Sequence, residues 1–304
     1  MRRIVVLLAI VLGMLATALP AWAVTGNYQE DTEHPFVGLV TFYDADGEYM
    51  HRCSGSLLTP TVFLTAGHCT TGGVDESGAV IPDPTTARVY FQQDAGANLD
   101  PKTGVDPVTG YPETCAEGTL GVTCATSDEL YNYGFDEFAG FPNTRDVGLV
   151  ILDQPIDLPE YGALAAPGTL DRLAARRGQQ EVTFTVSGYG LSRTNPVFVE
   201  SYRERLMAKT KLVNLRSALN GGFNLQLSAN PGGGRGGTCF GDSGGPILYG
   251  GFGSNTIVGV NSFVLNGNCR GVAFAYRTDT RAVFDWIRGI VGEEEFAEIE
   301  IVRL

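Results

Sequence analysis

Stretches rich in Val, Leu, Thr and aromatic residues run from Phe36 to Tyr43 and from Ser56 to Thr65, and similar runs surround Val89, Val147, Thr183, Leu212, Val258 and Ala273. Each run is short, and Gly, Asn, Asp and Pro separate them, the pattern of strands joined by turns. Near the C-terminus the period changes. Across Arg281 to Val291 the apolar residues Val283, Trp286, Ile287 and Ile290 fall on one side of a helix. Many short strands with one closing helix predict an antiparallel sandwich or a pair of barrels.

Three segments stand outside that pattern. Pro155 to Gln180 holds several Pro and Gly residues and a weakly helical Leu/Ala/Arg stretch without strand alternation, so it is expected to connect two halves. Residues 292–304, opening on Glu293-Glu294-Glu295, form an acidic tail expected to be solvated or loosely docked. Between Asp94 and Asn143 lies a polar excursion containing two Asp-Pro-x-Thr-Gly strings, at Asp100 and Asp106. Repeated turns explain those strings. A calcium loop built on Asp100 and Asp106 is the alternative, although EF-hand spacing is absent.

The N-terminus reads as an export signal: Arg2 and Arg3, an apolar run from Ile4 to Leu19, and the small-residue site Ala21-Trp22-Ala23. Cleavage after Ala23 starts the mature chain at Val24, leaves no membrane segment and implies a secreted protein. Residues 1–23 carry two Arg and no acid, so their removal takes the formal charge from −13 to −15. Such a balance disfavours nucleic acid as a partner. Six cysteines fit an oxidising compartment. Proximity pairs Cys53 with Cys69 and Cys115 with Cys124, leaving Cys239 with Cys269. No CxxC or His/Cys cluster offers a metal site, and no cofactor motif is present.

Gly241-Asp242-Ser243-Gly244-Gly245-Pro246 places a serine among glycines, where the backbone can turn sharply and a substrate carbonyl can come close. The string also satisfies G-x-S-x-G, the nucleophile elbow of α/β-hydrolases. In that fold the catalytic histidine follows the serine, whereas His34, His51 and His68 all precede Ser243. The elbow reading therefore fails. Leu64-Thr65-Ala66-Gly67-His68-Cys69 supplies an upstream histidine after a strand, and Asn143-Thr144-Arg145-Asp146-Val147-Gly148-Leu149-Val150 supplies an aspartate before an apolar strand. His34 and His51 lack such surroundings and read as structural or surface residues.

With these motifs the sequence resembles the trypsin/chymotrypsin-like serine peptidases, whose Thr-Ala-Ala-His-Cys hallmark is matched with Gly67 as the one change. Gly188-Tyr189-Gly190 is similar to the family's Gly-Trp-Gly turn, and Asp285-Trp286-Ile287 to its terminal helix. The resemblance implies an all-β fold of two six-stranded antiparallel Greek-key barrels with a C-terminal α-helix. Residues 24–160 would form the first barrel and 161–291 the second with the helix. It implies a triad of His68, Asp146 and Ser243, an oxyanion hole from the backbone amides of Gly241 and Ser243, and protein or peptide substrates. The pocket would be lined by Gly237 at its base, with Thr238, Phe240, Ser262, Phe263 and Val264, and bracketed by Cys239–Cys269. Without an acid at the base, small or medium uncharged side chains are expected before the scissile bond. Val24-Thr25-Gly26-Asn27 resembles the family's activating N-terminus, which would pair the Val24 ammonium with Asp242. Two other readings fit the same residues: an inactive homologue acting as a binding protein, and an esterase.

Overall fold

The structure, a computed structural model, describes residues 24–74, 77–95, 123–174, 182–195, 198–201, 204–230 and 232–304. The signal segment 1–23, the strings at Asp100 and Asp106, and the Cys115–Cys124 pairing lie outside the described residues. Two antiparallel sheets dominate. The first orders its strands Glu129–Asn132, Gly148–Ile151, Val62–Thr65, Tyr49–Leu57, Val37–Tyr43, Thr86–Tyr90 and Cys124–Ser127. It has seven strands where six were expected. All seven residues of Val37–Tyr43 are buried, which is why that stretch of sequence is apolar without alternating.

The second sheet closes into a ring. Pro246–Tyr249 pairs with Thr183–Gly188, then follow Leu206–Asn214, Asn224–Ser228, Val272–Arg277 and Thr256–Val264, which pairs back to Pro246–Tyr249. Each barrel has its own core, around Phe63, Leu64 and Leu149 in the first and Phe184, Leu225 and Ile247 in the second. This is the expected pair of barrels with a C-terminal helix.

The chain ends cross between the barrels, so the division at residue 160 does not separate the contacts. Thr25–Gly26 pairs with Gly236–Gly237, and Tyr28–Glu30 pairs with Leu206–Ala208, placing the first described residues on the second barrel. The expected connector contains a strand, Ala163–Ala165, parallel to Thr256–Val264, and a short helix α1 (Thr169–Ala174). Helix α2 (Arg281–Glu298) starts at Thr280, whose side chain accepts a hydrogen bond from the Val283 amide, and kinks at Gly292. Its residues Val283, Phe284 and Ile287 join the first barrel's core.

The tail is docked, not loose. Past the kink, Phe296 and Ile299 are buried in the first core, with the Phe296 ring edge-on to Phe284. Glu295 accepts hydrogen bonds from Thr59 and Thr61 of the first barrel, while Ile301–Val302 pairs with Ala163–Ala165 of the second sheet. Two buried apolar residues outweigh the solvation preference of the surrounding glutamates, of which Glu293, Glu294, Glu298 and Glu300 stay exposed.

Candidate active site

His68 sits in a single helical turn, Gly67–Cys69, just after the strand Val62–Thr65. That strand pairs with Gly148–Ile151 in the register Thr65 to Gly148, so Asp146, two residues ahead, arrives beside His68. Here Gly67 has a steric reason. A Cβ would stand 2.8 Å from Asn132 Oδ1 and 3.1 Å from the Val147 nitrogen, the chain that delivers Asp146. Cys53–Cys69 ties the same turn to the strand Tyr49–Leu57.

Asp146 is fully buried and collects donors. His68 Nδ1 lies 2.9 Å from Oδ2 and 3.1 Å from Oδ1, the His68 amide donates to Oδ1 at 2.8 Å, and the Ser262 hydroxyl donates to Oδ2. Burial disfavours the charged form of both partners, yet their mutual attraction and hydrogen bonds win, holding His68 above and Asp146 below its ordinary value. With Nδ1 bonded to the carboxylate, Nε2 is left as the accepting nitrogen.

Ser243 comes from the other barrel. Its carbonyl accepts from the Ser54 amide at 2.8 Å, and the Gly244 amide donates to the Asn261 carbonyl, so the loop is fixed between the two sheets. Gly244 has φ +78°, and a Cβ there would lie 2.1 Å from Thr65 Oγ1 and 2.4 Å from the Ser54 carbonyl. Only glycine fits. Among the described residues no hydrogen bond uses the amides of Gly241 or Ser243, although both carbonyls are bonded to Ser54. Ser243 and His68 line the same cavity without a hydrogen bond between their side chains.

That cavity, about 290 Å³, is lined by Thr238, Cys239, Phe240, Asn261, Ser262, Phe263 and Val264 from the second barrel and by Phe135 and Phe138 from the first. Gly237 does not line it. It pairs with Thr25, and a Cβ on it would meet Ala229 at 2.5 Å, so the base assigned from sequence is turned into the barrel. Cys239–Cys269 is formed beside the cavity. Phe135, Phe138 and the Ser262–Asp146 bond were not foreseen. The aromatic residues of the loop after Asn132 were visible in the sequence, but nothing there said which way they face. Phe138 meets Phe263 edge-on at 5.2 Å and Phe135 lies 5.7 Å from the His68 ring.

Asp242 is also fully buried, accepting from the amides of Gly190 at 2.9 Å and Cys239 at 2.8 Å. Burial pushes its carboxyl up to about 7, against the two amides and the Arg52 charge. Val24 is buried in the second core. In the full-length chain its nitrogen is a peptide nitrogen, so no ammonium exists to meet Asp242. His34 is buried with Nδ1 2.8 Å from Asp31, and His51 bonds the Cys69 carbonyl while stacking on Phe42.

The chain is 28% identical over 239 residues to Serine protease 7 of Drosophila melanogaster, covering 75% of this chain and 54% of that one. It is 26% identical over 253 residues to chymotrypsin-like elastase family member 1 of Canis lupus familiaris, covering 82% and 84%. It spans about half the length of the insect serine proteases it matches. Among solved structures, HL collagenase aligns with a TM-score of 0.60 at 18% identity, covering 89% of this chain and 99% of that one, a likeness of fold. The scabies mite inactivated protease paralogue S-D1 aligns with a TM-score of 0.58 at 17% identity, covering 88% and 97%. The family described as Trypsin matches residues 125–287, more than half of the sequence and both sides of the cleft. On that match, carried by a two-barrel frame, the chain belongs to the trypsin family of serine proteases.

Proposed function

We propose that this chain is a secreted serine endopeptidase that cleaves peptide bonds through an acyl-enzyme on Ser243. The observation that carries the reading is the pair of buried Asp146 and partly exposed His68 opening onto a cavity shared with Ser243, beside two amides that no other group among the described residues uses. A serine hydroxyl is a weak nucleophile at neutral pH, so His68 Nε2 takes its proton during attack and passes it to the leaving amine. The hydroxyl and Nε2 are brought into hydrogen-bond contact when substrate binds. Asp146, held in turn by Ser262, fixes the ring's tautomer and stabilises the imidazolium. This division of labour is the one established for the trypsin family. The amides of Gly241 and Ser243 receive the developing oxyanion, where losing one donor costs about 3 kcal/mol of transition-state stabilisation.

Thr238, Phe240, Phe263 and Val264 give the cavity no carboxylate, which favours a small or medium uncharged side chain such as Ala, Val or Leu before the scissile bond. Export and activation are read as one event. Cleavage after Ala23 frees the Val24 amine, whose neighbour Thr25 already pairs with Gly237, close in sequence to the oxyanion loop. A serine-directed phosphonate should label the wild-type chain stoichiometrically and Ser243→Ala not at all. Absence of labelling in the chain starting at Val24 would leave a binding protein as the better reading. Cleavage of a peptide library mainly after Arg or Lys would refute the pocket assignment.

A further inference from the structure

A second cavity, about 530 Å³, meets the first at His68, Ser243, Phe135 and Phe138 and then runs along the first barrel, past Met50 to Cys53, Thr71 to Val74, Ile81 and Glu137. If the acyl portion of a substrate fills the cavity of the second barrel, the leaving portion lies here. Its charged lining residues are Arg52 and Glu137, placed differently. Arg52 Nε lies 3.7 Å from where a Cβ on Gly241 would stand, next to the oxyanion loop and so next to the scissile bond. Glu137 Oε1 lies 2.8 Å from the corresponding point on Gly73, out on the hairpin Gly73–Val74/Val80–Ile81. Burial, the largest influence on His51, holds it below the ordinary histidine value and so disfavours a second cation beside Arg52. The Arg52 charge also acts on Asp242, which lies buried against the amides of Gly190 and Cys239.

We infer that Arg52 is a specificity-determining residue that selects an acidic side chain at the first or second position on the leaving side of the scissile bond. The guanidinium fork suits a carboxylate, and it stands at the inner end of the cavity, whereas the carboxylate of Glu137 stands at the outer wall. The inference rests on the proposed catalytic reading, because only that reading says which cavity receives the leaving group.

An acyl-enzyme made from a simple amino-acid ester has no leaving-side residue. Its partition between water and an added dipeptide amide therefore reads this cavity alone. In the transfer the dipeptide's amine attacks the acyl carbonyl, the bond to Ser243 Oγ breaks, and the amine's proton returns to Oγ through His68. The probes are Glu-Ala and Ala-Glu amides with their Gln and Lys counterparts. At low ionic strength transfer to a Glu peptide should exceed transfer to its Lys counterpart by about tenfold. That ratio should shrink at about 0.5 M salt, vanish in Arg52→Gln and invert in Arg52→Glu. Equal partition or a Lys preference in the wild type, or a Glu preference that survives Arg52→Glu, would overturn the inference. The wild-type ratio and its salt dependence decide the matter even if a variant fails to fold. An ester that never acylates Ser243 removes the catalytic reading itself, and this inference with it.

Discussion

Asp242 offers a thermodynamic test of activation that needs no substrate. In the full-length chain its carboxyl is pushed from an ordinary 3.8 up to about 7 by burial. A folded value above the unfolded one means that between roughly pH 4 and 7 the folded state binds a proton the unfolded state lacks, so stability falls as pH rises through that window. About three units at 1.36 kcal/mol each make that loss about 4 kcal/mol, a large share of a typical 5–15 kcal/mol total. A chain beginning at Val24 places an ammonium in the second barrel, and pairing brings Asp242 back down and removes the descent. The amine gains the opposite signature. Its folded value rises above about 8, so its contribution is complete below that value and is lost as pH climbs through the higher one. The assay is urea unfolding followed by circular dichroism from pH 5 to pH 10, on the Val24 chain and on one extended at its N-terminus, both carrying Ser243→Ala to prevent self-digestion. All other titrating groups are shared, so the difference between the two curves isolates this pair. It should grow in favour of the Val24 chain up to about pH 7 and collapse in alkali. Parallel curves would refute the pairing.

Ser243→Ala and His68→Ala should each abolish most peptide hydrolysis, and the double variant should be scarcely worse than either, since residues acting as a unit are strongly non-additive; steady-state kinetics on one peptide substrate decide it. Gly244→Ala forces a Cβ into Thr65 and a left-handed backbone at once, so it should cost at least about 2 kcal/mol in urea unfolding and remove activity with it. Ending the chain at Val291 deletes the buried Phe296 and Ile299, and the loss should be about 3 kcal/mol or more by the same assay; an unchanged midpoint would mean the tail is not docked in solution.

Short-range information was legible in the sequence. Residue types alternate or cluster according to burial, so strand runs such as Val37–Tyr43 and the helix from Arg281 could be read directly. The order of His68, Asp146 and Ser243 excluded one hydrolase fold, and their immediate neighbours pointed to another. Proximity along the chain paired Cys53 with Cys69 and, with Cys115 and Cys124 set together, left Cys239 for Cys269; the structure forms both of those bridges. What the tertiary structure alone decided lies between segments far apart in sequence. Ser262 reaches Asp146 across 116 positions, Tyr28–Glu30 joins the second barrel while the next strand, Val37–Tyr43, lies in the first, and Glu295 closes on Thr59 across 236. Gly237 turned toward Ala229 because its strand pairs with Thr25, and Phe138 turned toward Phe263 because the loop after Asn132 meets the strand Thr256–Val264 over the cleft. Local composition records whether a residue is buried, through the cost of exposing apolar surface, but the partner it is buried against is fixed only when strand register and chain closure bring distant surfaces together.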